Sequence, residues 1–167
     1  MPSDKRGATR RATRKEIVDE LNRLMAEEAE ACLRYFQMRY RLNGEDSVAA
    51  GRLFDEAVRE TLEHAAAIAV HTRALGHVPT LRVNLTLGGG PIRLETALGE
   101  ALDVEQQALD AYKDLLPRVA GDPDLEAFVR RQIEVETEHV AEMRSFAQAH
   151  AAVRLVPPPG TRRRPAR

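Results

Sequence analysis

Residues 60–64 read Glu-Thr-Leu-Glu-His, and residues 136–139 read Glu-Thr-Glu-His. In an α-helix of about 3.6 residues per turn, residues three or four apart share a face, so each stretch can direct a carboxylate and an imidazole to one point. Helix bundles hold pairs of metal ions in this way when two further helices each add an inward Glu. The two stretches therefore predict an all-α bundle around a two-metal site.

Composition is consistent with such a bundle. The chain has 167 residues, enough for one domain with a proper core, and its 4% aromatic content and lack of Trp favour helices over strands. A single cysteine, Cys32, excludes an internal disulfide framework. No apolar run reaches the roughly 20 residues of a membrane span, and the basic start leads into an amphipathic pattern instead of a signal peptide. We expect a cytoplasmic protein that does not enter a membrane.

Charge divides the chain into three parts, which we interpret as a basic tail over residues 1–12, a bundle over 13–152 and a Pro/Arg-rich tail over 153–167. Residues 1–15 and 154–167 each carry a net charge of +5, which leaves −11 for the remainder of a chain whose total is −1. An acidic body suits a protein that gathers cations. The tails are predicted to be extended or disordered, and they leave open contact with nucleic acid or simply a solubilising role.

Periodic apolar residues predict four long helices. Between the second and third, residues 76–92 contain Pro79, three consecutive glycines and Pro91, and can span more than about 50 Å when extended. A connection of that length implies that these two helices are parallel, with one long crossover between helices 2 and 3. The predicted helices run from Thr13 to Leu42, from Asp46 or Ser47 to Leu75, from Pro91 to Val119, and from Asp122 to Ala151.

Each predicted helix places ionisable groups among its apolar residues. Burial of a carboxylate is costly unless it is paired or bound to a cation, so these groups indicate a site. His71 shares the face of His64 but is about 10.5 Å along the axis, too far to bind the same metal, which favours a role in supporting the ligands or in packing. The candidate ligands are Glu28 on helix 1, His64 with Glu60 beside it on helix 2, Glu105 on helix 3, and Glu136 and His139 on helix 4.

Three segments resemble bacterioferritins, in the ferritin-like superfamily. Residues 21–28 (LNRLMAEE) followed by Tyr35-Phe36 resemble their first helix, His64-Ala65 with residues 75–79 (LGHVP) their second, and residues 136–139 their fourth. The resemblance implies a four-helix bundle with a di-iron centre that oxidises Fe(II) with oxygen or peroxide. It assigns ligand roles to Glu28, His64, Glu105, Glu136 and His139, and it places Tyr35 near the metals as an electron donor.

The chain departs from that family at three places. Thr61 stands where the family has a Glu ligand; we expect Glu60 to replace it, the alternative being a five-ligand site completed by water. Leu62 stands where bacterioferritins present a haem-binding Met, so no haem is expected. No sequence after His150 matches their short fifth helix, and Pro157–Pro159 follow. We therefore expect a homodimer or other small homo-oligomer.

The predicted ligand types suit two iron or manganese ions, since carboxylates neutralise them and one imidazole per metal leaves open positions. The leading hypothesis is a ferroxidase-type protein of iron homeostasis or oxidative-stress protection. A di-metal oxidase or catalase-like enzyme acting on another substrate is the second. The third is a non-catalytic, DNA-associated bundle with a degenerate site, in which inward Glu and His pair with Arg or with one another.

Overall fold

The computed structural model describes residues 12–155, which form four α-helices and no strand. None of the helices in this range is both long and apolar enough to cross a membrane. The predicted all-α class is confirmed, whereas the tail predictions for residues 1–11 and 156–167 fall outside the described residues. The helices are α1 (Arg14–Arg41), α2 (Gly44–Ala74), α3 (Leu94–Leu115) and α4 (Pro123–Leu155), with a 3-10 turn at Leu116–Arg118.

Helix α1 begins directly after Thr13, which caps it. The Thr13 hydroxyl accepts a hydrogen bond from the backbone N–H of Glu16, and the Glu16 carboxylate accepts one from the backbone N–H of Thr13 at 2.7 Å. This reciprocal pair satisfies donors that the first turn leaves free. In contrast, α3 begins at Leu94, three residues later than predicted, because the backbone N–H of Ile92 is bonded to the carbonyl of Arg41 at the end of α1.

The predicted crossover is present and runs beside α1. Side chains of α1 hold its backbone at intervals, from Asn22, which accepts from the N–H of Thr80, to Arg41, which donates to the carbonyl of Gly90. The connector therefore rises along α1 and delivers α3 to the same end of the bundle at which α2 begins. As a result α2 and α3 are parallel, as the long connection predicted.

The core consists of two apolar clusters at different levels of the bundle. One contains Tyr35, Phe54 and Leu98, and the other contains Leu21, Ile68 and Val129. Between these levels the inward positions are polar. Burial of polar groups lowers the stability of the fold unless the groups pair with one another or bind a ligand. This layer is therefore the candidate functional site.

Candidate metal centre

A layer of buried polar side chains crosses the middle of the bundle. All four α-helices contribute to it, and the five most buried members are each less than a tenth exposed. His139, which completes the layer, retains 16% of its side-chain exposure. The five are Glu28 from α1, Thr61 and His64 from α2, Glu105 from α3, and Glu136 from α4. The structure thus brings together five of the six ligand candidates, all except Glu60. They are Glu28, His64, Glu105, Glu136 and His139.

Glu136 lies between the two imidazoles. Its Oε1 is 3.1 Å from Nδ1 of His64, and its Oε2 is 3.6 Å from Nδ1 of His139. The two imidazole rings are nearly parallel, with centroids 5.5 Å apart. The same Nδ1 atoms each face one more carboxylate: that of His64 is 3.6 Å from Glu28, and that of His139 is 3.4 Å from Glu105.

Two atoms at the centre of this arrangement lack hydrogen-bond partners. Nδ1 of His64 and Oε1 of Glu136 are buried and close together, yet they are not aligned for a hydrogen bond with each other. Donor atoms of His64, Glu136 and His139 all lie within 4.8 Å of one another. Buried polar atoms left without partners are rare in proteins, and a metal ion between them would satisfy both. The donor set, carboxylates with imidazole, also fits iron or manganese.

Two tyrosines fix the outer carboxylates. The hydroxyl of Tyr35 donates to Oε1 of Glu105 at 2.5 Å, and that of Tyr112 donates to Oε1 of Glu28 at 2.9 Å. Both tyrosines are completely buried. Each hydrogen bond occupies one carboxylate oxygen from outside, so the other oxygen is left to face the histidine. Tyr35 was predicted to lie near the metals, and Tyr112 was missed by the sequence analysis.

The site is built from two similar halves, which we call the first half (α1 and α2) and the second half (α3 and α4). In each half a tyrosine follows a glutamate by seven residues on the first helix. On the second helix a histidine follows another member of the polar layer by three residues. Each tyrosine bonds to the glutamate of the opposite half. The residues in order are Glu28, Tyr35, Thr61 and His64 in the first half, and Glu105, Tyr112, Glu136 and His139 in the second.

This correspondence shows what Thr61 replaces. It occupies the position in the first half that Glu136 occupies in the second, so one central carboxylate is missing. The Thr61 hydroxyl donates to the carbonyl of Ala57 at 2.8 Å, one turn back on α2. A side chain so short, bonded to its own helix, does not reach the middle of the site as a glutamate would.

Glu60 lies at the edge of the layer instead of within it. Its Oε2 is 3.5 Å from Nε2 of His139, whereas Glu105 and Glu136 approach that ring at Nδ1. The other carboxylate oxygen of Glu60 pairs with Arg59 at 3.0 Å. Glu60 therefore contacts the outer edge of the His139 ring.

The ionisation of the centre is set by these contacts. Burial alone would lower the pKa values of the histidines, but the carboxylates outweigh it and raise the pKa of His64 to about 9 and that of His139 to about 10. Burial would raise the pKa of Glu136, but both histidines oppose this and lower it to about 2. The metal-free site is thus an ionic cluster whose imidazoles must lose protons before they bind metal.

Glu28 and Glu105 behave differently from Glu136. Burial raises the pKa of both carboxyls, although His64 and His139 respectively oppose the shift. Burial, with the negative charge of the neighbouring carboxylates, also raises the pKa of Tyr35 and Tyr112 well above the usual range, so both phenols stay protonated as donors. Each outer carboxylate is therefore held between a protonated phenol and an imidazolium.

His71 packs away from the centre, as the sequence predicted. Its ring lies 4.2 Å, centroid to centroid, from that of Phe128. Sequence reasoning did not single out Tyr112, although a signal for it existed: it follows Glu105 by seven residues, as Tyr35 follows Glu28. Leu62, which the resemblance to bacterioferritins places at their haem-binding Met, is 61% exposed.

Comparison with known structures shows the same fold in several proteins. A bacterioferritin-related protein from Bacteroides fragilis, described as a dodecameric thioferritin, has a TM-score of 0.75 at 20% identity, covering 86% of this chain and 91% of its own. Bacterioferritin from Desulfovibrio desulfuricans has a TM-score of 0.72 at 20% identity, covering 84% and 82%. A ferritin-like diiron-carboxylate protein from Bacillus anthracis has a TM-score of 0.73 at 20% identity, covering 80% and 96%.

Comparison with curated protein sequences gave no match. The family model described as the ferritin-like domain matches residues 18–151, a span that includes the four helices' contributions to the polar layer. The predicted resemblance to the ferritin-like superfamily is therefore confirmed, and the chain belongs to the ferritin family of ferritin-like domain proteins.

Proposed function

We propose that this protein binds two iron ions in the polar layer and oxidises Fe(II) with oxygen or peroxide, as a ferroxidase-type protein of iron homeostasis or oxidative-stress protection. The observation that carries the proposal is the pair of buried atoms without a hydrogen bond, Nδ1 of His64 and Oε1 of Glu136, which lie 3.1 Å apart at the centre of three carboxylates and two imidazoles. Iron bound there supplies the electrons that reduce the oxidant.

In this proposal the chain's own residues hold and neutralise the metals. Glu28 and His64 form one position, Glu105 and His139 form the other, and Glu136 lies between them. Tyr35 and Tyr112 orient the two outer carboxylates through their hydroxyl groups. Tyr35 is also proposed as an electron donor, since its hydroxyl is bonded directly to a ligand. The apolar clusters above and below exclude bulk water from the layer.

The decisive experiment is metal analysis of the purified protein followed by anaerobic loading with Fe(II) and exposure to oxygen or peroxide. Two ions per chain and their oxidation, followed by absorbance, are expected. Manganese in place of iron, or turnover of another substrate without Fe(II) oxidation, would favour the di-metal oxidase or catalase-like alternative. Thr61 gives specific support to a degenerate, non-catalytic site, in which case neither metal pair nor oxidation would be observed.

We also propose that the protein forms a homo-oligomer through the outer face of α1 and α2. That face presents four large exposed side chains, among them Phe36 and Tyr40, whose tilted rings lie 5.0 Å apart between centroids and which are 55% and 69% exposed. Two adjacent helices of this length offer a face of about 40 Å by 20 Å, or roughly 800 Å², the area each partner buries in a standard interface. The other two exposed side chains are Leu33 and Leu62.

Light scattering tests this assembly. We expect the smallest oligomer to be a dimer of the 18.6 kDa chain. Phe36→Glu is expected to convert it to monomer, whereas Ala127→Glu, on the exposed side of α4, is the control and should leave the mass unchanged. A monomeric wild-type protein would contradict the proposal, and a particle of about 24 chains would mean that further contacts close a cage.

A further inference from the structure

We propose that Glu60 moves into the centre when metal binds and supplies the carboxylate that Thr61 does not. This inference rests on the proposed metal centre and concerns the residue that completes it. It gives the Glu60 carboxylate a ligand role in place of its contacts with Arg59 and with the outer edge of His139.

The first argument is charge. Three buried carboxylates, Glu28, Glu105 and Glu136, carry three negative charges, whereas two divalent ions carry four positive ones. A fourth carboxylate makes the loaded centre neutral, which matters in a layer shielded from water. Thr61 is neutral, and its hydroxyl already donates to the Ala57 carbonyl at 2.8 Å. A fourth charge from the chain itself would therefore have to come from another side chain, whereas a five-ligand site would take water in its place.

The second argument is position. A water-sized cavity of about 10 Å³ adjoins Thr61 and is lined also by Glu60, Glu105 and His139. Glu60 therefore borders the space that a longer side chain at position 61 would fill. Its Oε2 is already 3.5 Å from Nε2 of His139. The proposal requires the flexible Glu60 side chain to turn its carboxylate from the outer edge of the ring toward this cavity.

The third argument is that little holds Glu60 in its metal-free position. Its partner Arg59 is 57% exposed and also pairs with Glu63, so that contact is a surface ion pair of the weak kind. Arg59 keeps Glu63 as a partner when Glu60 leaves. The buried, unpartnered Oε1 of Glu136 and Nδ1 of His64 provide the independent indication that a cation belongs at this centre.

Glu142 is the other carboxylate beside the cavity. It lies on α4 one turn after His139 and lines the same space. Glu60 is favoured because it already contacts a ligand histidine, whereas no contact of Glu142 with the polar layer is present among the described residues. Glu142→Gln therefore belongs in the experiment as a competing arm.

Binding of Co(II) to the full-length protein tests the inference without reference to catalysis. Stoichiometry and affinity are measured by calorimetry and by the visible absorbance of bound Co(II). Wild-type protein is expected to bind two ions, and Glu60→Gln to weaken at least one by about tenfold or more, the loss typical even of a metal site's outer partners. Glu63→Gln, which removes the other partner of Arg59, is the matched control and should bind as wild type.

The conservative variant separates a ligand from a positioning residue. If Glu60 only accepts a hydrogen bond from His139, Gln retains an acceptor oxygen and Glu60→Gln binds normally while Glu60→Ala does not; that result would overturn the inference. We expect both to be weak and the double variant Thr61→Glu/Glu60→Gln to recover two-ion binding. The inference would likewise be overturned if the double variant did not bind two Co(II) ions, or if Glu142→Gln alone weakened Co(II) binding.

The same titration distinguishes failure of this inference from failure of the proposed function. If wild-type protein binds no pair of Co(II) ions, the metal centre itself is wrong. If wild type and Glu60→Gln bind two ions equally well, the centre stands and only the role of Glu60 is refuted. Thermal unfolding of each metal-free variant verifies that it is folded.

Discussion

The two halves of the centre differ at one central residue. The first half, from α1 and α2, and the second half, from α3 and α4, each present a glutamate, a tyrosine and a histidine in matching places, but Thr61 stands in the first half where Glu136 stands in the second. Glu136 is therefore the one carboxylate of the layer that contacts the histidines of both halves. We expect metal binding to depend on Glu136 more than on Glu28 or Glu105, each of which contacts one histidine.

Changing Glu136 to Thr makes the second half like the first and should have the largest effect. It leaves two imidazolium groups without their shared counter-ion, and removing one member of a buried ion pair costs on the order of 3 kcal/mol or more. We expect a large fall in the melting temperature of the metal-free protein and loss of Co(II) binding. Thr61→Ser is the matched control, and normal metal binding by Glu136→Thr would refute the central role of Glu136.

The pH dependence of stability tests whether Glu136 couples the halves. His64 and His139 have pKa values of about 9 and about 10 in the folded protein, above the usual 6.5. Their contribution to stability is therefore complete below pH 6.5 and is lost as the pH rises through 9 and 10. We expect the free energy of unfolding of the metal-free protein to fall on the order of 3 kcal/mol across that window.

Urea unfolding between pH 6 and pH 10 measures this loss. Glu136→Thr serves as the control, because without the shared carboxylate the curve should be much flatter over the same range. An unchanged free energy in the wild-type protein would show that the histidines are not stabilised as cations.

Changing Thr61 to Glu makes the first half like the second. A second central carboxylate should raise the affinity for a metal pair about tenfold or more, since hard divalent ions favour additional carboxylate ligands. The same charge should lower the melting temperature of the metal-free protein, because it adds to three buried carboxylates. Calorimetric titration with Mn(II) measures the first effect. Thr61→Gln, similar in size but neutral, is the control and should not raise affinity.

The two tyrosines should give the smallest and most equal effects. Tyr35→Phe and Tyr112→Phe each remove one hydrogen bond to a buried carboxylate, at a cost of about 1.5 kcal/mol. We expect similar losses of thermal stability in the two variants. If Tyr35 is the electron donor, stopped-flow Fe(II) oxidation slows in Tyr35→Phe alone. Equal slowing in both variants would assign the tyrosines the same positioning role.

Local sequence was sufficient for the helices and for most of the inward residues. The 3.6-residue periodicity placed Glu28, His64, Glu105, Glu136 and His139 on buried faces, and all five lie in one layer. The length of residues 76–92 predicted the crossover. These features depend on spacing along one helix or on the reach of one segment, which are properties of the chain before it folds. Helix ends were less accurate, because tertiary contacts such as Ile92 to Arg41 delay α3.

What only the tertiary structure decided is which groups meet across helices. Helical periodicity places both Glu60 and Thr61 at the border of the interior, because viewed along the helix axis they lie on opposite sides of the direction of His64. Packing decided between them: Thr61 is buried and bonded to its own helix, whereas Glu60 contacts the outer edge of His139 and the guanidinium of Arg59. Packing also decided the hydrogen bond from Tyr112 to Glu28, because these residues are 84 positions apart in the sequence. Helical periodicity fixes the direction of a side chain, but its partner depends on the register of helices distant in sequence.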